Sequence, residues 1–403
     1  MTKRMLLSMA VAATALATGH AASAATDVTI GVLNDMSGLY ADLSGQGSVV
    51  AAQMAVEDFK AKDKGINVKI LSADHQNKPD VGSNTARRWI DEDGVDVIVD
   101  VPTSSVALAV NEVVREKNKI FINSGAATSD LTGSKCSPNT VHWTYDTWAL
   151  AHGTGLATVQ SGGKSWFFIT ADYAFGHALE RDTAAVVKDA GGTVVGDVMV
   201  PLNTQDFSSY LLQAQGSGAQ VIGLANAGGD TINSIKQASE FGITQAGQSL
   251  AGLLIFITDI HSLGLQTAQG LLLTSAFYWD LNDQTRSFAK RFSERVGGGK
   301  EPTMVHAGVY SGIMHYLKAV EAVGSDDTDK VMAKMKEMPI DDPLFGKGKV
   351  EANGRATHDM YLFRVKQPSQ SKGPWDYYEL VQTIPADKAF RPAGESGCPL
   401  VKG

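Results

Sequence analysis

The chain has 403 residues, 43% of them hydrophobic and 19% charged, with 41 glycines and a formal charge of −8. That is a globular composition, and domains of about 100–200 residues make two of them the expectation for this length. The acidic balance and the lack of a clustered Lys/Arg stretch exclude a nucleic-acid backbone as partner, because phosphate recognition needs grouped cations.

The N-terminus reads as an export signal. Lys3 and Arg4 give a basic start, Met5 to Thr18 an apolar run, and Ala22-Ser23-Ala24 a small-x-small cleavage pattern. The run is shorter than the roughly 20 residues that span a bilayer. Residues 1–24 are therefore read as a signal peptide, cleaved to release a periplasmic protein; the alternative is an uncleaved N-terminal anchor. No later stretch reaches transmembrane length without a charge. The chain carries two cysteines, Cys136 and Cys398. An oxidising compartment favours their pairing, which would tie the C-terminal tail to the body; the alternative is two buried free thiols.

Strand and helix patterns then alternate. Val28–Leu33 reads as a buried strand, Gln46–Lys62 as a helix with Val50, Met54, Ala55 and Phe59 on one side, and Val68–Ala73 as a strand. Pro79–Asp93 is a helix opened by proline. Val95–Val101 is a strand, Ser104–Lys117 a helix, and Ile120–Asn123 a strand. The rhythm breaks around Pro138–Asp146 and restarts: strands at Ser165–Thr170, Val194–Val200 and Val221–Ala225 alternate with helices at Ala174–Ala190, Phe207–Gln215 and Thr231–Phe241. Leu250–Phe256 and Leu271–Ala276 follow as strands. Helices at Thr285–Val296, His306–Val323 and Asp329–Met338 come next, and short strands at Gly348–Glu351, Met360–Val365 and Tyr377–Thr383 suggest a small antiparallel addition. Such repetition predicts two α/β units with parallel sheets.

Ligands in open parallel sheets sit beyond the carboxyl ends of the strands, so the segments after strands are the informative ones. Asn34–Tyr40, Pro102–Ser105 and Asn123–Asp130 are small, polar and glycine-rich. The Ser104-Ser105 helix start and the Ala126-Ala127-Thr128 loop offer N–H groups and hydroxyls suited to a carboxylate; the plainer reading is a helix cap and a tight turn. In the second unit, Tyr173 and Phe175, then Asn226 and Asp230, then Phe256–Asp259 follow strands. Aromatics there suit a ligand's body, and Asp230 or Asp259 suits an ammonium, unless Asp230 only caps its helix. Tyr278 and Trp279 read as hinge-side cleft or as core. No Gly-x-Ser-x-Gly elbow, phosphate-binding loop, dinucleotide fingerprint or zinc spacing occurs, so no catalytic residue, metal or cofactor is expected.

The runs Ile30–Gly38, Phe121–Thr128 and Asp172–Gly176 resemble the type I periplasmic binding proteins of the leucine/isoleucine/valine-binding group, and the resemblance extends over nearly the whole mature chain. It implies an α/β fold of two Rossmann-like lobes with parallel sheets, joined by a three-stranded hinge and closing on a ligand. On that resemblance the carboxylate would be held by the loops at Ser104-Ser105 and Ala126-Ala127-Thr128, and the second lobe would add an aromatic at Phe175 or Tyr173; the residues after strands add Tyr40, Asn226 and Asp230 as candidate ligand contacts. The implied division is 25–144 and 276–342 for the first lobe, 145–275 and 343–383 for the second, and a tail at 384–403 returning to the first. The chain departs from the group in a longer Leu39–Gly47 loop, in Asn226-Ala227 where tyrosines are frequent, and in a Phe256–Asp259 turn without the usual Gly-Pro-Glu-like form. The implied function is capture of a small carboxylate, an amino acid or aromatic acid, by a monomeric non-enzymatic protein serving an ABC importer's permease and ATPase subunits at the inner membrane. The alternatives are a ligand-sensing domain for a membrane receptor and an α/β hydrolase.

Overall fold

Continuous Val/Ile/Leu runs are the mark of strands buried on both faces of a parallel sheet, and here they build two such sheets. The computed structural model describes residues 25–401; the signal-peptide reading lies outside the described residues. The first sheet holds β1 (Thr26–Asn34), β2 (Ile66–Asp74), β3 (Val97–Asp100), β4 (Ile120–Asn123) and β5 (Thr140–His142), all parallel, in the order β2-β1-β3-β4-β5. The second holds β6 (Ser165–Ala171), β7 (Thr193–Val200), β8 (Val221–Ala225) and β9 (Ser249–Gly252) in the order β7-β6-β8-β9. Central β3, β4 and β8 are buried at every residue, whereas edge β7 alternates toward solvent.

Helices cover both faces. In the first unit these include α1 (Gly45–Phe59), α2 (Pro79–Asp91) and α3 (Ser104–Glu116), with later helices Asp283–Val296 and Met304–Val323 packed along α1 and Thr328–Glu337 along Met304–Val323. Val50, Met54, Phe59, Phe288, Tyr310 and Ile313 belong to their shared core. A third sheet, antiparallel, pairs Leu272–Ser275 with Met360–Val365 and the latter with Tyr378–Ile384. Its Leu273, Phe363, Val365 and Tyr378 join the second unit's core beside Ile169, Leu224 and Phe207. Tyr278 and Trp279 donate to the Trp375 carbonyl at this sheet, with Tyr278 against Phe363 and Tyr378.

Three differences from the sequence expectation have physical causes. The break at Pro138–Asp146 contains β5, whose three residues are too few to show a pattern. The strand expected over Leu250–Phe256 ends at Gly252: Leu253 makes a last bond to the Leu224 carbonyl at 3.3 Å, and by Phe256 the Asp259 carboxylate takes the backbone N–H at 2.9 Å to open the Ile257–Leu263 helix. The second-lobe boundary expected at 343 falls inside a small antiparallel sheet of Ile340–Asp342, Gly346–Val350 and Ala356–Thr357. Leu344, Phe345, Val350 and Ala356 are buried in a core that runs through both units, but strand Gly346–Val350 packs on the Thr328–Glu337 helix and Arg355 bridges His142 of β5. These residues therefore sit with the first unit, and the return to the second begins near Met360.

The chain crosses between units after β5, after Ser275 and after Thr357, and the crossings are fastened together. Residues Ala151–Gly155 of the first form a π-helical turn. A Cβ on Gly153 would lie 2.1 Å from Thr274 Oγ1, so glycine lets this helix meet the second crossing. Buried Arg355, before the third crossing, donates to the Tyr145 carbonyl at 3.2 Å and lies 3.4 Å from Asp146 Oδ2. Phe390 of the tail lies under the Arg355 guanidinium at 4.4 Å. Cys398 then bonds Cys136, with Cα atoms 5.7 Å apart and a sequence separation of 262. Replacing both cysteines by serine frees this long loop in the unfolded chain; on the chain-entropy account the loss is about 5.5 kcal/mol at most. The expected result is a lower thermal midpoint, checked by calorimetry against the oxidised parent, and an unchanged midpoint contradicts it.

Candidate functional site

The carboxyl ends of both parallel sheets face one gap. In it lies a narrow cavity lined by Tyr40, Leu43, Pro102, Gly125, Ala127, Tyr145, Tyr173, Phe175, Ala227, Leu254 and Phe256. Each lining residue follows a strand: Tyr40 and Leu43 after β1, Pro102 after β3, Gly125 and Ala127 after β4, Tyr145 after β5, and Tyr173, Phe175, Ala227, Leu254 and Phe256 after β6, β8 and β9. This is the topological switch-point geometry of doubly wound sheets, doubled. The Tyr40 and Tyr173 hydroxyls meet at 2.5 Å across the gap, and Tyr145 donates to the Gly125 carbonyl at 2.5 Å.

Of the residues expected at the site, Tyr40, Ala127, Tyr173 and Phe175 line the cavity. Ala127 accepts the Thr147 N–H at 2.8 Å. Ser104 is buried one layer behind, its Oγ accepting the Thr128 N–H at 3.2 Å, so it shapes the loop that carries Ala127. Thr128 Oγ1 in turn accepts the Asp130 N–H. Ala126 is wholly buried, bonded to Asn123 and His142. Ser105 is half-buried on the first turn of α3. Asn226 turns inward, accepting from Thr231 at 2.8 Å and donating to Ser234 at 2.9 Å. Asp230 accepts the Asn203 N–H at 3.1 Å through one oxygen, while the other is buried without a partner among the described residues. Leu43, Tyr145 and Leu254 escaped the sequence reading. Tyr145 obeys the same after-strand rule and was hidden with β5.

No lining residue is charged. Among the described residues, no group of three or more His, Cys, Asp and Glu side chains is placed to hold a metal ion. Positive potential comes instead from helix starts. α3, Ala174–Asp189 and Gly229–Glu240 begin at Thr103, Tyr173 and Gly228 without a side-chain cap, so their first N–H groups and dipole ends are available to an anion. The turn that presents Pro102 is strained: Asp100 and Val101 have φ of 80° and 58°. A β-branched residue in this region is an outlier, and such strain concentrates at ligand sites. Buried Asp100 holds the turn, accepting from Asn34 Nδ2 at 3.1 Å.

A family profile described as periplasmic binding protein matches residues 27–374. The chain is similar to the crystal structure of a periplasmic binding protein from Burkholderia mallei, at 53% identity and a TM-score of 0.91, covering 94% of this chain and 100% of that one. It is similar to a branched chain amino acid ABC transporter periplasmic ligand-binding protein from Burkholderia xenovorans LB400, at 43% identity and a TM-score of 0.82, over 93% and 99% of the two chains. A solute binding protein of an ABC transporter from R. palustris, in complex with 4-hydroxybenzoate, shares the fold at 24% identity and a TM-score of 0.81, over 89% and 97%.

Burial raises three carboxyl groups around the gap, Asp259 to about 7 and Asp100 and Asp230 to about 6, and it raises Glu301, beside His306, to about 7. A carboxyl group with a folded pKa above its unfolded value keeps its proton longer in the fold, so its stabilisation is present at acid pH and is lost as pH rises through the folded pKa. Buried His75, His306 and His358, lowered to about 4 by burial, act in the opposite direction. The difference between parent and single variant isolates one group. Asp259→Asn keeps an acceptor for the Phe256 N–H and removes the titration. The expected outcome is a parent that loses stability relative to this variant between about pH 4 and pH 7, measured by urea unfolding across that range. A pH-independent difference contradicts it.

Proposed function

We propose that this chain, which belongs to the periplasmic binding protein family and to its leucine/isoleucine/valine-binding type, captures a small monocarboxylate with a flat apolar body and delivers it to an ABC importer. The observation that carries this reading is the interlobe cavity, with five aromatic rings and no ionised side chain on its wall. Helix starts supply N–H groups for one carboxylate, and the rings supply apolar and edge-to-face contact for the body. The 4-hydroxybenzoate complex in a relative of the same fold agrees with an aromatic acid.

A branched-chain amino acid is the second reading. It is favoured by the name of the B. xenovorans relative and by the unpartnered oxygen of Asp230, which lies near enough to Tyr40 and Tyr173 to act on their ionisation. The protein acts in this proposal as a periplasmic monomer that binds its solute without changing it, and lobe closure forms the surface offered to the permease.

Thermal shift and calorimetric titration with benzoate, 4-hydroxybenzoate, benzamide and leucine separate these readings, because a tight ligand stabilises by mass action. An aromatic acid is expected to raise the midpoint. Its neutral amide is expected to bind about ten- to a hundredfold more weakly, since charge-assisted hydrogen bonds contribute about 1.5–3 kcal/mol each. Ser104→Ala and Thr128→Ala, which loosen the Ala127 loop, are expected to weaken the acid by roughly one to two decades. Leucine binding abolished by Asp230→Asn establishes the amino-acid reading instead, and recovery of a converted product sinks both.

A further inference from the structure

Two of the contacts between the lobes differ in character and in distance from the hinge. One is polar and close to the hinge. Asp182, on the Ala174–Asp189 helix of the second lobe, accepts from Ser129 of the first lobe at 2.7 Å and from Thr147 of the first crossing at 2.6 Å. Ser129 follows β4, the strand beside β5 from which the chain leaves for the hinge. The other contact lies on the β1 side, two strands further across the sheet. There the Leu39-Tyr40 corner of the first lobe meets Gly228-Gly229 of the second, where β8 turns into the Gly229–Glu240 helix.

This second contact leaves no room for side chains. A Cβ built on Gly228 would lie 2.7 Å from the Leu39 carbonyl oxygen and 3.1 Å from the Tyr40 ring, and one built on Gly229 would lie 2.8 Å from Leu39 Cδ1. Gly228 has φ 58° and ψ −132°, a conformation that in itself requires glycine. Gly229 has no such requirement, since its φ is not positive. Its lack of a side chain therefore answers to the neighbouring lobe and not to its own backbone. Beside it, Tyr40 reaches the Tyr173 hydroxyl across the gap.

We propose that Gly228 and Gly229 are positioning residues for closure: they form a bare step onto which the Leu39-Tyr40 corner seats, and the depth of this seat sets how far the lobes close on the bound acid. This rests on the capture reading above. Neither glycine needs to touch the ligand. Their role is to let Tyr40 and Tyr173 come within hydrogen-bonding distance and seal the cavity. An alanine at 229 meets only the mobile end of Leu39, which can rotate aside, so a larger residue is the informative change.

The test compares the parent, Gly229→Leu, Leu39→Ala and the double variant, using the acid that gives the largest thermal shift with the parent. Gly229→Leu is expected to weaken binding by about tenfold or more, mainly through faster release, because only closed-state contacts are lost. Its unliganded thermal midpoint is expected to equal or exceed that of the parent, leucine being the better helix former. Adding Leu39→Ala to Gly229→Leu clears the step and is expected to recover most of the lost affinity. Small-angle scattering with saturating acid should show the single variant less compact than the parent, and the double variant compact again. Parent-like release by Gly229→Leu, or a loss of affinity that Leu39→Ala does not restore, overturns the step. Failure of the parent to bind any acid of the panel overturns the capture reading and the step with it. Tight binding by the parent with no compaction overturns the step alone.

Discussion

The wall of the interlobe cavity carries no ionised side chain, so any charge that enters must be balanced by backbone N–H groups and helix dipoles. That constraint accounts for much of the architecture. Backbone donors point usefully into a gap only where helices begin, and in a parallel α/β sheet helices begin where strands end. Two sheets turned carboxyl end to carboxyl end therefore bring α3 and the helices starting at Ala174 and Gly229 onto one small volume. The first sheet contributes the Ala127 loop, and the second contributes Tyr173 and Phe175.

Keeping such a wall neutral requires that the polar groups just behind it be restrained. Asp100, wholly buried beneath Gly125, holds Asn34 and is pushed up toward about 6 by its burial. The positive φ values of Asp100 and Val101 aim Pro102 at the ligand space and keep the carboxylate out of it. Asn226 is consumed by Thr231 and Ser234. A residue that looks like a ligand contact in sequence is here a strut for the helix start beside it.

The alternation of buried strand and amphipathic helix made both sheets legible, because central strands such as β3 and β8 have no polar face to confuse the reading. The three residues of β5 carry too little pattern, and for that reason β5 and, with it, Tyr145 were not legible. The end of β9 at Gly252 was hidden for a different cause. Leu253–Phe256 is as apolar as a strand, since Leu254 and Phe256 line a cavity, and the Asp259 side chain that bonds the Phe256 N–H and opens the next helix is a contact the apolar pattern does not show. The layering of the Ser104, Ala126 and Thr128 loop is likewise tertiary: sequence places all three at a strand end, while packing decides that Ala127 faces the gap and Ser104 stands behind.

The Cys136–Cys398 bond has a consequence for the survival of a damaged chain. It closes the chain into a ring that contains the entire second lobe and all three crossings and leaves β1 to β4 and their helices outside. A protease that nicks any exposed loop within the ring, such as Gly297-Gly298-Gly299, produces two fragments that remain one covalent molecule. Each fragment also keeps its share of the buried core, so the nick alone separates nothing. Whether a damaged copy of this protein falls apart is then governed by thiol chemistry, and backbone continuity alone does not decide it.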